Sequence, residues 1–143
     1  MVSKFNSEGY KDPVVYEALM KVEKEERAAR AAAAFRPLVY ICSPYAGDIE
    51  KNTYKARAFS RFAVERNYIP IAPHLLCPQY MDEETERHLA LKMGIVFMGK
   101  CEEVWVFGDV ISDGMAMEIG KAKRQRKKIR YFTDDLKEKE GMV

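Results

Sequence analysis

The feature that most constrains the fold is a set of four short apolar runs separated by helix-forming segments. The runs are "LVYIC" at 38–42, "YIPIA" at 68–72, "EVWVFG" at 103–108 and "IRYF" at 129–132. Short runs rich in β-branched and aromatic residues indicate buried strands. Strands that alternate with helices favour a parallel sheet with helices on both faces. We therefore expect an α/β domain built on a sheet of about four to five strands.

The segments between these runs predict the rest of the architecture. Apolar residues at helical spacing predict helices at 49–67, 84–100 and 112–127, and the two prolines of "PHLLCPQYMDEE" favour a long loop at 73–84. Another helix is predicted from Pro13, with Asp12 as its N-cap, to about residue 34. Residues 1–11 are expected to be mobile. This organisation gives a tail and helix at 1–36, a domain at 37–133 and a polar tail at 134–143.

Composition narrows the class of protein. The chain has 143 residues, 48% of them hydrophobic, and a net charge of +2, which fits one globular domain and no general affinity for nucleic acid or membranes. No apolar run approaches the roughly 20 residues of a membrane span. The N-terminus lacks the apolar region of a signal peptide. The scattered Cys42, Cys77 and Cys101 are typical of free thiols, so we expect a cytoplasmic protein.

Polar and aromatic side chains follow the first three predicted strands. In a parallel sheet, ligands bind outside the carboxyl ends of the strands, where the strand order reverses. The loops that meet there supply candidate substrate-binding groups, namely Ser43, Tyr45, Asp48, His74 and Asp109. The first loop has one glycine, so it is neither a Walker loop nor a dinucleotide fingerprint.

The segment "ISDGMAMEIGKAK" at 111–123 adds the start of a helix at this edge. Ser112 or Asp113 can cap the helix, and Gly114 leaves room at its first turn. The free N–H groups of such a helix start suit a phosphate or a carboxylate. Glu118 lies one turn further on, and it has two interpretations. It is either a solvated charge on an ordinary helix or a carboxylate nucleophile above the sheet.

Two other residues also allow two interpretations. By strand alternation Tyr40 shares a face with Leu38 and Cys42, so it is either a core tyrosine or a hydroxyl that meets a catalytic carboxylate. His74 is either structural or catalytic. The spacing His74-x-x-Cys77 gives a weak zinc signal, because it has no second ligand pair, and we assign no metal.

The basic run "KAKRQRKKIR" at 121–130 is the one sequence feature that resembles a nucleic-acid patch. Cations also suit the end of a helix, where they complement its dipole. The run has no interleaved aromatic residues and no second basic stretch. We therefore interpret it as a solvated helix end and do not expect nucleic-acid binding.

Three pieces in this order resemble the nucleoside 2-deoxyribosyltransferase superfamily. They are "VYICSPYAGD" on the first strand, "CEEVWVFGD" on the third, and "SDGMAMEIGKA" after it. More narrowly, the chain is similar to a phage- and prophage-type branch, over about residues 37–133. The resemblance implies a flavodoxin-like, Rossmann-like three-layer fold. It also implies cleavage or transfer of the N-glycosidic bond of a (deoxy)nucleoside or its 5′-monophosphate, without a cofactor.

The resemblance also implies roles for particular residues. Glu118 takes the position of the glutamate that attacks the anomeric carbon, and Tyr40 that of a tyrosine which orients it. Ser112 matches a serine that binds the 5′-phosphate in the hydrolase members. Gly114 and Met115 match backbone positions close to the sugar. Family members assemble as dimers or larger oligomers, so a homo-oligomer is expected here.

Two positions depart from the family pattern. Gly94 stands where family enzymes carry an aspartate that acts as general acid or base, and Ala46 where the hydrolases carry a phosphate-binding arginine. Asp48, Asp109 or His74 would have to replace the acid. The alternative function is therefore a non-catalytic nucleotide-binding or sensor module of a mobile element.

Overall fold

The computed structural model describes residues 13–34 and 36–140, without the side chains of residues 32–34. The chain divides between Arg36 and Pro37 into two compact units. The first contains helix α1 (Pro13–Ala34), on which Val14, Leu19 and Val22 are exposed. The predicted mobile tail at 1–11 and the Asp12 cap lie outside the described residues. No helix in the described ranges is long and apolar enough to cross a bilayer.

The second unit contains a four-stranded, fully parallel sheet. Its strands are β1 (Leu38–Cys42), β2 (Ile69–Ile71), β3 (Glu103–Phe107) and β4 (Lys128–Phe132), in the order β2-β1-β3-β4. This order is the beginning of the flavodoxin-like arrangement, with the reversal of strand order between β1 and β3. The prediction of an α/β, flavodoxin-like fold is therefore confirmed.

The predicted helices are present, with differences at their ends, as α2 (Ile49–Glu65), α4 (Arg87–Lys100) and α5 (Asp113–Arg124). A short helix that was not predicted, α3 (Pro73–Leu76), lies between α2 and α4 in the chain. The predicted loop at 73–84 is wrong in part, because Pro73 starts the short helix α3 and a 3-10 turn follows at Cys77–Gln79. Helix α4 begins three residues later than predicted. Asp82 explains this delay, since its side chain accepts bonds from the N–H groups of Glu84 and Thr85 and closes a separate turn.

Each face of the sheet packs against different helices. On one face α2 places Phe59 and Phe62 over the sheet, and the rings of Phe59 and Phe107 stack with centroids 4.3 Å apart. The other face packs against α4 and α5, which contribute Met98, Met115, Ile119 and Ala122 to a second core cluster. Tyr40 and Cys42 belong to this second face because side chains alternate along β1.

Both outer strands carry features that limit further pairing. Edge strand β2 contains Pro70, which lacks an N–H to donate and is tolerated at a sheet edge. Beside β4 the chain folds back, so that Phe132 and Glu138 form an antiparallel bridge and Lys139 N–H donates to the Tyr131 carbonyl at 2.8 Å. The polar segment after residue 133 therefore packs against the sheet as far as Lys139.

A network of polar side chains closes the amino end of the sheet. Glu103, the first residue of β3, is buried and accepts hydrogen bonds from Tyr68 at 2.5 Å and from the Trp105 indole at 3.1 Å. Arg130 lies 3.8 Å from Glu103 and makes two hydrogen bonds to Glu138, of 2.7 and 2.9 Å. Two members of the basic run at 121–130 are thus in use within the fold, since Lys127 also donates to the Gly99 carbonyl at 3.1 Å.

Candidate active site at the carboxyl edge of the sheet

Glu118 lies on the side of α5 that borders the sheet. Ser112 caps this helix by accepting a hydrogen bond from the Met115 N–H at 3.2 Å, and Met115 and Ile119 are buried on the same side. Glu118 is only partly exposed. Burial raises the pKa of its carboxyl group to about 7, although a hydrogen bond from the Tyr40 hydroxyl acts in the opposite direction. Glu118 is therefore not the solvated surface charge that helix rules alone would favour.

Tyr40 brings its hydroxyl from β1 to this carboxylate. Its side chain is buried, and burial raises the pKa of the hydroxyl far above its usual value, with further contributions from the charge of Glu118 and the hydrogen bond to it. The hydroxyl consequently stays protonated and donates to Glu118. Such a donor restricts the rotamer of the carboxylate and favours its ionised form.

Cys42 lies two residues further along β1 and also faces Glu118. Its thiol donates to the Met115 carbonyl with an Sγ–O distance of 3.9 Å. Burial, and after it the charge of Glu118, raises the pKa of the Cys42 thiol well above its ordinary value. The thiol is therefore neutral and forms part of the buried surroundings of Glu118. The sequence did not single out this contact, although strand alternation placed Cys42 on the same face as Tyr40.

Gly94 approaches the same hydroxyl from helix α4. It is buried, and a Cβ atom at this position would lie 3.5 Å from Tyr40 Oη, an ordinary van der Waals distance. The first atom of any side chain at residue 94 would thus lie beside the Tyr40 hydroxyl that contacts Glu118. As glycine, the position contributes no acid to it.

The loops after β1 and β2 are joined by side-chain contacts. Ser43 is buried, and its Oγ lies 3.1 Å from His74 Nε2. Burial lowers the pKa of His74 to about 4, so the imidazole is neutral near pH 7. The Tyr45 ring lies beside that of His74, with centroids 5.7 Å apart, and its hydroxyl donates to Glu83. Glu83 is a contact that the sequence did not reveal, because this residue falls in the predicted loop at 73–84, far along the chain from Tyr45.

Two predicted binding residues have other partners. Asp48 is the N-cap of α2, and its side chain accepts from the Lys51 N–H at 3.1 Å. Asp109 follows Gly108, which has a φ of 113°, and its exposed carboxylate forms an ion pair of 3.6 Å with Lys139. Neither aspartate contributes to the raised pKa of Glu118.

The start of α5, where the sequence predicts a phosphate-binding site, is open to solvent. Ser112 and Gly114 are exposed, and the Cβ direction of Gly114 meets nothing within 4 Å. The Ser112 Oγ accepts from the Met115 N–H, which leaves its own proton available for a ligand. The Met115 side chain is buried in the core, so only its backbone can face a substrate.

Within residues 13–34 and 36–140 no three His, Cys, Asp or Glu side chains come together as metal ligands would.

Fold and site together define a flavodoxin-like α/β protein with one partly accessible carboxylate at the point where the strand order reverses. Residues 37–132 match the family described as a domain of unknown function (DUF7768), and the chain belongs to that family. None of the curated proteins compared with the chain matches it.

A solved structure is similar to this fold. It is that of a 2-deoxyribosyltransferase from the psychrotolerant bacterium Bacillus psychrosaccharolyticus, with a TM-score of 0.52 and 20% sequence identity. The similarity covers 67% of this chain and 72% of that chain. It agrees with the superfamily fold that the sequence resembles.

Proposed function

We propose that the protein cleaves or transfers the N-glycosidic bond of a (deoxy)nucleoside or a nucleoside 5′-monophosphate, with Glu118 as the nucleophile. The observation that carries this proposal is the Glu118–Tyr40 pair, in which a partly exposed carboxylate with a pKa of about 7 is held by a tyrosine hydroxyl. The similarity to a 2-deoxyribosyltransferase structure supports the same chemistry. Carboxylates with raised pKa values in clefts are candidates for catalytic groups.

The proposed reaction has two displacements at the anomeric carbon. An oxygen of ionised Glu118 attacks C1′, the C1′–N bond breaks, and its electron pair leaves with the base. The transition state resembles an oxocarbenium ion and is stabilised by the negative carboxylate. Tyr40 is a positioning residue, because its hydroxyl fixes the carboxylate orientation. Water, or a second base, then attacks C1′ and releases Glu118.

The remaining residues of this edge fit the binding of a nucleotide. The N–H groups at the start of α5 and the Ser112 hydroxyl suit a 5′-phosphate. Neutral His74, held by Ser43, offers one hydrogen-bonding nitrogen to a base, and the Tyr45 ring offers a stacking surface.

Base release from a panel of deoxynucleosides, ribonucleosides and their monophosphates tests this proposal. Wild-type protein should release free base, detected by chromatography. Glu118→Gln, which keeps the size of the side chain and removes the nucleophile, should lower the activity by at least about 10³-fold. The matched control is Glu102→Gln, since Glu102 is exposed at the opposite end of β3. Equal release by wild type and Glu118→Gln would contradict the assignment.

A second candidate function is nucleotide binding without turnover, as in a sensor module of a mobile element. Gly94 favours it, because this residue supplies no proton donor beside Tyr40. Titration calorimetry with the same panel separates the two functions. Binding of a nucleotide without release of any base would support the binding module.

Assembly into a homo-oligomer is a further part of the proposal. Several apolar side chains of α4 are exposed and would be covered in an interface, namely Leu89, Leu91, Ile95 and Val96. Light scattering during size-exclusion chromatography measures the mass directly. A mass of one chain at all concentrations would contradict the oligomer.

A further inference from the structure

We propose that the Glu118 site is built for N-glycosides whose leaving group already carries a positive charge, such as N-ribosylpyridinium compounds or N7-alkylated purine nucleosides. This inference rests on the proposed function and narrows its substrate class. Two independent observations lead to it. Among the residues that the structure describes, the carboxylate has no cationic partner, and its surroundings hold no proton donor for a neutral base.

The first observation concerns charge. None of the ion pairs formed by the described residues includes Glu118. No lysine or arginine in residues 13–34 or 36–140 contributes to its pKa shift, which burial dominates. A partly buried carboxylate without a counter-charge is costly, and it gains most from a ligand that supplies the missing positive charge. A cationic ring next to C1′ would do so at the atom where the bond breaks.

The second observation concerns protons. In the described parts of the chain, the side chains that interact electrostatically with the Glu118–Tyr40 pair are Cys42 and Cys101. Burial raises the pKa of Cys42 well above its ordinary value and that of Cys101 to about 11, so both remain protonated and are weak acids. Gly94, whose Cβ direction points to Tyr40 Oη, has no side chain. His74 is neutral and hydrogen-bonded to Ser43.

The electron balance of the first step shows why the leaving group matters. When a neutral base departs, the pair of the C1′–N bond leaves an anion on the ring unless an acid protonates it. When the ring is already cationic, the same pair neutralises it and no proton is needed. A general acid contributes about 10²–10⁴-fold to such a step. A site without an acid therefore favours cationic substrates by a factor of this order.

The test uses pairs of substrates that differ in charge but little in shape. One pair is 7-methylguanosine and guanosine, and the other is nicotinamide riboside and its neutral dihydro form. After subtraction of the uncatalysed rate, kcat/KM for base release should be about 10²–10⁴-fold higher for the cationic member of each pair. Glu118→Gln should abolish both activities, and Glu102→Gln should preserve them.

The outcomes separate the inference from the proposed function. If guanosine and 7-methylguanosine are cleaved within about threefold of each other, the substrate class is wrong and Glu118 catalysis stands. If no member of either pair releases a base, the substrate class and Glu118 catalysis are both wrong.

A binding measurement independent of turnover accompanies the assay. The cation 1-methylnicotinamide should bind wild type at least about tenfold more tightly than nicotinamide, and Glu118→Gln should remove this preference. Equal binding to wild type would overturn the inference.

Discussion

At the scale of single residues, Glu118 combines two properties that oppose each other. Burial of its carboxyl group, which has no lysine or arginine partner among the described residues, destabilises the ionised form and raises the pKa to about 7. The nucleophilic role that we propose for Glu118, however, requires the ionised form. The Tyr40 hydroxyl reduces this conflict, because its hydrogen bond lowers the pKa of Glu118. We therefore expect the ionisation of Glu118 to change both the unfolding free energy and the rate of base release as the pH changes.

Glu118→Gln should become more stable than wild type as the pH rises. In the folded protein the pKa is about 7 instead of 4.5, so between these values the folded state holds a proton that the unfolded state has lost. This stabilisation of wild type is complete below pH 4.5 and is lost as the pH rises through about 7. The unfolding free energy of the variant minus that of wild type should therefore be up to about 3 kcal/mol higher at pH 8.5 than at pH 4, because wild type loses this stabilisation. Urea unfolding at both pH values measures it, and a constant difference would refute the burial of this charge.

Tyr40→Phe should shift the acidic limb of the pH–activity profile upward. The variant removes the hydrogen bond that lowers the pKa of Glu118, so the nucleophile ionises at a higher pH. Base release should fall by about tenfold near pH 6.5, the value of one hydrogen bond to a charged group, and less at pH 8.5. Tyr131→Phe, on the same face of the sheet, is the control and should leave the limb in place. An unshifted limb in Tyr40→Phe would exclude the positioning role.

At the scale of elements, the strands were predictable from sequence because each is a compact apolar run. The helical bounds were less predictable, since they depend on side-chain caps. Asp82 closes its own turn and delays α4 to Arg87, and Pro73 starts a helix where a loop was expected. Sequence periodicity contains no information on such local competition. For the same reason the contact of Glu83 could not be predicted. Glu83 accepts a hydrogen bond from Tyr45, and the two residues lie on loops that are distant in sequence.

The Glu118–Tyr40 pair shows which part of a site sequence can predict. Alternation along β1 gave the face of Tyr40, and helical spacing placed Glu118 beyond the start of α5. The position of Gly94 against Tyr40 depends on how α4 and α5 pack on the sheet, and so does the fact that no cation in the described part of the chain reaches Glu118. Packing of this kind is a three-dimensional property, so the substrate class that we propose could not be predicted from the sequence.

Ser112→Ala should separate the cap of α5 from its binding role. The serine hydroxyl accepts the Met115 N–H, and its loss should destabilise the protein by about 1 kcal/mol. If the same hydroxyl also contacts a 5′-phosphate, KM for a monophosphate should rise by about tenfold while KM for the corresponding nucleoside stays constant. Steady-state kinetics with both substrates, beside a thermal melt, provides the comparison. An equal change in both KM values would remove Ser112 from the phosphate site.

At the scale of the whole parallel sheet, the proposed active site and a buried polar network lie at opposite ends of the strands. The carboxyl end carries the partly exposed Glu118 site, whereas the amino end is closed by the Glu103 network with Tyr68, Trp105 and Arg130. No buried side-chain nitrogen or oxygen in the described residues lacks a hydrogen-bond partner. Changes at the amino end should therefore alter folding without altering the reaction.

Glu103→Ala should test this division. It would leave the Trp105 indole, the Tyr68 hydroxyl and one side of Arg130 without their acceptor, and should cost about 2–3 kcal/mol of unfolding free energy. Base release per folded molecule should not change. Glu65→Ala, which removes an exposed ion pair with Arg61, is the matched control and should cost less than about 0.5 kcal/mol. A loss of specific activity in Glu103→Ala would show that the two ends are coupled.

The strand order also has a consequence for synthesis on the ribosome. Strand β1 lies in the middle of the sheet, yet its neighbour β3 begins at Glu103, far later in the chain than Cys42. While the intervening residues are being translated, β1 and β2 can pair, but the other edge of β1 stays open. Such an unpaired apolar edge favours association between nascent chains. Folding yield in the cell should therefore depend on how quickly the ribosome reaches β3, and on chaperones that cover β1 until then.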